Sequence, residues 1–138
     1  MNDNLNNNLK AKKTESIIEG KIEIKEDISP EILESLKGTP KGEGGLIVLK
    51  GPNIGEKIIL NKPVFRIGRE SDSDIFLDDI TISRKHAQIE KIDTYYKITD
   101  LGSLNGIYVN DKLAEEKILE NGDKIQIGKY VFYYFYFE

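Results

Sequence analysis

The sequence predicts an all-β sandwich preceded by a tail, and three observations carry that reading. From Gly45 onward, short runs rich in isoleucine, valine and tyrosine are broken by turn residues every 8–12 positions. Residues 1–44 hold no aromatic side chain, begin with an asparagine-rich segment and end in GTPKGEGG. Such a segment buries too little apolar surface to offset its ordering entropy, so a flexible tail is expected over 1–44 and one folded domain over 45–138.

Taken in order, KIEIKE (21–26) alternates and would pair as an edge strand. SPEILESLKG predicts a short helix at 29–37, with Ser29 as N-cap, Pro30 at the first helical position and Gly38 at the stop. Alone it would be marginal. Strands are then expected at LIVLK (46–50), EKIIL (56–60), VFRIGR (64–69) and DIFL (74–77). HAQIEKI (86–92) and YYKITD (95–100) would join through Asp93-Thr94. IYVN (107–110), DKIQIG (123–128) and YVFYYFYF (130–137) complete the set. The last run is aromatic on both faces, which places it mid-sheet with each face covered; the alternative is an exposed edge used for assembly. NDK (110–112) and NGD (121–123) supply turn chemistry, and Gly122 and Gly128 tolerate positive φ.

Composition excludes several classes. The formal net charge of −4 argues against nucleic acid as a partner. No apolar run reaches the roughly 18–20 residues needed to cross a bilayer. The start, MNDNLNNNLKAKK, has no apolar core of a secretion signal, so a cytoplasmic protein is expected. Cysteine is absent, which removes disulfides, thiol nucleophiles and thiolate metal sites. DSDIFLDD (72–79) suggests calcium, but Leu77 stands where the EF-hand loop needs glycine and Ser83 where it needs glutamate. No metal and no cofactor are expected.

Three loops concentrate hydrogen-bond donors. RIGRESDSD (66–74) places Gly68 and Arg69 at a strand end. DDITISRKH (78–86) places Ser83, Arg84 and Lys85 before the next strand. DLGSLNGIYVN (100–110) carries Ser103, Asn105 and Gly106. Loops of a sandwich cluster at its two ends. At one end these three would form a donor-rich notch sized for a phosphate ester. Singly, the same residues admit plainer readings: Arg69 paired to Glu70 or Asp72, Ser83 as a turn residue, Arg84 and Lys85 as a solvated pair, and Asn105-Gly106 as a hairpin turn.

Together, GR (68–69), SRKH (83–86) and LGSLNG (101–106) resemble the pattern of the forkhead-associated (FHA) domain: Gly-Arg, Ser-x-x-His, Asn-Gly. SDSDIFLDDITISRKHAQIE is similar to small bacterial FHA regulators of the actinobacterial glycogen-accumulation type. The resemblance implies a β-sandwich of about eleven strands that reads phosphothreonine in partner proteins within Ser/Thr kinase signalling. It implies that Arg69, Ser83 and Arg84 hold the phosphate and that Asn105 holds the partner's main chain. His86 would brace the loop presenting Ser83, and Gly68 and Gly106 would give tight backbone geometry. Many members have a phosphate-binding threonine where this chain has Leu104, and Ser103 is expected to take that role. Ile107, where threonine is common, is expected to be packing.

The expected function is a non-catalytic phosphothreonine-binding module, monomeric, with threonine-phosphorylated proteins and a Ser/Thr kinase as partners. Thr14, in KKTESIIEG, is a candidate phosphoacceptor that would fill the notch of its own chain. One alternative is a scaffold binding partners without phosphate. A Ser83–His86 hydrolase is the other, but it lacks the Gly-x-Ser-x-Gly elbow and an evident oxyanion hole.

Overall fold

The computed structural model describes residues 29–136 in full, and Ser16–Ile17 (β1) and Ile22–Glu23 (β2) by backbone alone. β1 and β2 pair antiparallel. Of the flexible tail expected over 1–44, residues 1–15, 18–21 and 24–28 fall outside the described residues, Thr14 and the remainder of 21–26 among them.

Helix α1 (Pro30–Leu36) starts where Ser29 accepts a hydrogen bond from the Ile32 N–H at 3.3 Å. The strands that follow are β3 (Gly44–Lys50), β4 (Lys57–Leu60), β5 (Val64–Gly68), β6 (Ile75–Phe76) and β7 (Ala87–Ile92). Next come β8 (Tyr95–Asp100), β9 (Ile107–Val109), β10 (Lys112–Ala114) and β11 (Glu116–Ile118). β12 (Lys124–Ile127) and β13 (Tyr130–Tyr136) end the fold. One sheet runs β10-β9-β12-β13-β3-β4 and the other β11-β8-β7-β5-β6, eleven strands in two layers. All pairings in these layers are antiparallel except β5 with β6.

Alternation along each strand builds the core. Phe65 and Ile67 of β5, Ala87 and Ile89 of β7, and Leu46 and Val48 of β3 point inward and are buried, while Arg66 between the first pair is exposed. β13 lies inside its sheet, and both its faces are covered. Phe132 and Tyr134 enter the core between the sheets. Tyr133 and Phe135 face outward, where Leu36 of α1 packs on them together with Ile47. The helix that would be marginal alone thus buries Leu36 completely, and Lys57 Nζ donates to the carbonyl of Ser35 near its C-terminus.

Turns set the strand ends. Asn110 and Asp111 both have positive φ, at 52° and 70°, as a two-residue turn between β9 and β10 requires. Beside it, Asp123 is fully buried and accepts from Asn110 Nδ2 at 2.9 Å, from Glu120 N–H at 2.8 Å and from Lys117 Nζ at 3.0 Å. Burial pushes its carboxyl up, but those three donors outweigh burial and hold it below the usual carboxylate range.

Candidate functional site

Three loops meet at one end of the sandwich, and buried residues place them there. Leu77 and Ile82 are buried in the core and anchor the β6–β7 loop at both ends, so Ser83 emerges directly after an inward residue. The loop also lies on the β12–β13 turn, where Gly128 has φ +58° and a Cβ would sit 2.3 Å from Thr81 Oγ1. Asp79 fixes its curvature by accepting from both the N–H and the hydroxyl of Thr81, while Lys129 of the β12–β13 turn sits 2.8 Å from its other oxygen. Lys129 first, and then the two Thr81 donors, pull the Asp79 carboxyl down to about 2.

Gly68 ends β5 against the same loop. A Cβ on it would lie 1.9 Å from the carbonyl oxygen of Arg84, so no other residue fits. That approach lets the Arg69 N–H donate to the carbonyls of Ser83 and Arg84, each at 3.1 Å. The Arg69 side chain folds the same way, with Nε donating to Ile82 O at 2.9 Å. The four N–H donors of its terminal nitrogens have no protein acceptor among the described residues.

His86 joins the second loop to the third. It is fully buried, accepts from the Ser83 N–H through Nδ1 at 3.0 Å, and has Nε2 2.8 Å from the carbonyl of Gly106. A backbone N–H only donates and a carbonyl only accepts, so the ring hydrogen belongs on Nε2. With its acceptor nitrogen held by a backbone N–H, the ring is not placed to take the Ser83 hydroxyl proton as a hydrolase would require. Ser83 Oγ instead accepts from the Leu104 N–H at 2.9 Å, which leaves its own hydrogen to donate outward. Asn105 Nδ2 donates to Thr81 O at 3.0 Å and holds the third loop against the second; the rest of its amide is exposed.

Asp100 winds the third loop by accepting from the N–H groups of Gly102 and Ser103 and from the Ser103 hydroxyl. Ser103 Oγ in turn accepts from the Gly106 N–H at 2.8 Å. Its hydroxyl is therefore used inside the loop, and of the residues singled out from the sequence Ser103 is the one not offered to the notch. The bonds above bring Arg69, Ser83 and Asn105 together, Arg84 joins them through its backbone carbonyl, Gly68 and His86 hold the loops together, and Gly106 turns the chain at φ +78°. Arg84 and Lys85 are exposed on the side of a groove of about 430 Å³ that Arg66, Glu70 and Asp72 also line.

The model of the FHA domain matches residues 65–128, which span all three loops. An oxoglutarate dehydrogenase inhibitor of Corynebacterium jeikeium is 45% identical over 104 residues, covering 75% of this chain and 70% of that protein. This chain belongs to the FHA-domain family. The glycogen accumulation regulator GarA of Mycolicibacterium smegmatis is 44% identical over 71% of this chain and 62% of its own length. The chain therefore spans somewhat under to somewhat over two thirds of these relatives. Among solved structures, Mycobacterium tuberculosis EmbR in complex with a low affinity phosphopeptide superposes with a TM-score of 0.64 at 30% identity, over 77% of this chain and 29% of EmbR.

Asp79, Asp100 and Lys129 were not singled out from the sequence, though they hold the loops. DDIT and DLGS are acid-led turns, in which a carboxylate accepts from N–H groups two or three residues on. That local pattern was readable for both aspartates. Lys129 is distant in sequence and carried no such signal.

Proposed function

We propose that this chain is a non-catalytic phosphothreonine-binding module that acts in Ser/Thr kinase signalling by occupying a partner. What supports this reading is that Arg69 is bonded to the carbonyls of Ile82 and Ser83, while Ser83 Oγ accepts from the Leu104 N–H and keeps its own hydrogen to donate. A phosphothreonine dianion brings about −1.5 to −2 charges on three strong acceptor oxygens to those donors, and an unmodified threonine brings only an uncharged hydroxyl. Arg84 adds positive charge at the rim, and Asn105 has amide groups left to hold the ligand's main chain. Ser103 acts through the loop it braces.

Calorimetry with one peptide in phosphorylated and unphosphorylated form tests the reading. Binding is expected only of the phosphorylated form. Arg69→Ala removes charge-assisted bonds worth about 1.5–3 kcal/mol and is expected to weaken it about 10–100-fold. Equal binding of both peptide forms would overturn the reading in favour of a phosphate-independent scaffold.

The relatives' names attach them to glycogen accumulation and to inhibition of oxoglutarate dehydrogenase. For this chain we extend only the mode of action: a monomeric cytoplasmic regulator whose own Thr14, once phosphorylated, competes for the notch at an effective concentration of about millimolar. Kinase treatment should then shift the amide signals of loops 66–74, 82–86 and 101–106 and block added phosphopeptide.

A further inference from the structure

Asn-Gly occurs twice in the chain, at 105–106 and 121–122. The pair is chemically labile. The backbone nitrogen of the glycine attacks the side-chain carbonyl carbon of the asparagine, ammonia leaves, and a cyclic imide remains that water opens to aspartate or isoaspartate. Glycine favours the step because it has no side chain to hinder the approach. Attack requires the glycine N–H to give up its proton and the asparagine side chain to swing over it, so hydrogen bonds to either group oppose it. The structure treats the two pairs differently. Asn121 is half-buried, its Oδ1 accepts from the Tyr136 N–H, and the buried Gly122 donates to Tyr134 O at 2.9 Å. Both bonds run to β13, inside its sheet. Asn105 is exposed on a loop, and two bonds hold the pair there. Asn105 Nδ2 donates to Thr81 O at 3.0 Å, and the Gly106 N–H donates to Ser103 Oγ at 2.8 Å. Asp100 in turn holds the Ser103 hydroxyl.

We propose that Asn105 is a site of spontaneous deamidation, that the product closes the notch, and that Ser103 Oγ, by engaging the Gly106 N–H, is the restraint that slows the reaction. The chemistry stands on the loop alone; its consequence rests on the phosphothreonine reading. Water is the only co-reactant and ammonia the only product lost, so no enzyme need act. At position 105 the reaction replaces the Nδ2 donor with an oxygen. A carboxylate facing Thr81 O sets two acceptors against each other, and the bond tying the third loop to the second is lost. The new charge also lies near the guanidinium, since Asn105 holds Thr81 O and Arg69 Nε holds the adjacent Ile82 O. It competes with a phosphate for those donors and repels the dianion. The isoaspartate product also inserts an extra backbone carbon and undoes the turn at Gly106.

The test ages the full chain in mildly alkaline buffer, with peptide mass spectrometry and isoaspartate detection following Asn105 and Asn121 separately. Asn105 should convert first and Asn121 persist; the reverse order would overturn the site. Ser103→Ala should convert about fivefold faster at Asn105, the worth of one hydrogen bond, and Ser103→Thr, which keeps the hydroxyl, should stay near the natural rate. An equal acceleration at Asn121 in Ser103→Ala would mean a general loosening of the fold and would overturn the role given to Ser103. So would an unchanged rate at Asn105. A slower rate would overturn it too, because Ser103 and Asp100 would then be a relay that removes the Gly106 proton. Asn105→Asp, and the aged chain separated by ion exchange, should each bind phosphopeptide about tenfold more weakly than the fresh chain. If the fresh chain binds only the phosphorylated peptide and the modified chain binds it equally well, closure of the notch fails and the phosphothreonine reading stands. If the fresh chain binds phosphorylated and unphosphorylated peptides alike, that reading fails and takes closure with it, while the rates at Asn105 still decide the restraint.

Discussion

At the residue scale, the notch depends on two side-chain choices that admit little substitution. Gly68 has no Cβ because Arg84 O occupies the place of one, at 1.9 Å. Gly68→Ala must therefore part β5 from the β6–β7 loop, breaking the bonds from Arg69 N–H to the carbonyls of Ser83 and Arg84. Overpacking of this kind costs about 1–3 kcal/mol. Phosphopeptide affinity should fall beyond what the lower melting temperature explains, because the guanidinium moves with the strand. An unchanged melting curve would mean that the contact is not made in solution. His86 acts differently, joining two loops through opposite ring nitrogens. His86→Ala leaves the Ser83 N–H and the Gly106 carbonyl without partners and opens a cavity, a loss on the order of 3 kcal/mol. Denaturant unfolding measures it directly, and a loss under about 1 kcal/mol would show that water replaces the ring.

At the scale of elements, α1 is the clearest case of packing deciding what propensity left marginal. Its seven residues would not persist alone, yet Leu36 is fully buried against Ile47, Tyr133 and Phe135. Leu36→Ala should cost about 2 kcal/mol, the lower end for a buried leucine, because a short helix can detach instead of leaving a hole. Phosphopeptide binding should stay unchanged, since the helix packs on the half of β13 away from the Gly128 turn; weaker binding in titrations would reveal a coupling that the contacts do not contain. The same physics explains what the sequence made legible. Strands with one apolar face, such as Ala87–Ile92 and Tyr95–Asp100, announce themselves by alternation, and the aromatic run of β13 reads as mid-sheet because both faces need cover. β10 and β11 escaped notice. They are three residues each, lie at sheet edges, and carry Leu113 and Ile118 outward to solvent, so no inward pattern marks them. At the site, the residues proposed to face the ligand were legible as three motifs, GR, SRKH and LGSLNG. The role of Ser103 did not, because which partner a hydroxyl takes depends on where Asp100 sits in space.

At the scale of the whole molecule, acid separates binding from folding. The ligand's phosphate has its second pKa near 6, so it loses its second charge as pH falls through that value. The chain's own carboxylates hold on longer. Asp123 lies below the usual range, as does Asp74 through Lys62 and the Arg66 N–H, and Asp79 is drawn to about 2. A carboxyl whose folded value is lowered stabilises the fold above its unfolded value, near 3.8, and that contribution disappears as pH falls through the folded value. Two transitions should therefore appear on acidification. Phosphopeptide affinity declines between about pH 7 and 5 while the melting temperature stays nearly level, and the melting temperature then falls below about pH 4. Asp123→Asn should lower stability at neutral pH, because Lys117 Nζ, Asn110 Nδ2 and the Glu120 N–H lose the anion they share. It should also flatten the acid limb, because the titrating group is gone, and leave the affinity profile near pH 6 in place, because Asp123 lies beside Asn110, at the end of β9 opposite the Asn105-Gly106 turn. Coincident loss of affinity and fold in the natural chain would instead place the controlling proton on the protein.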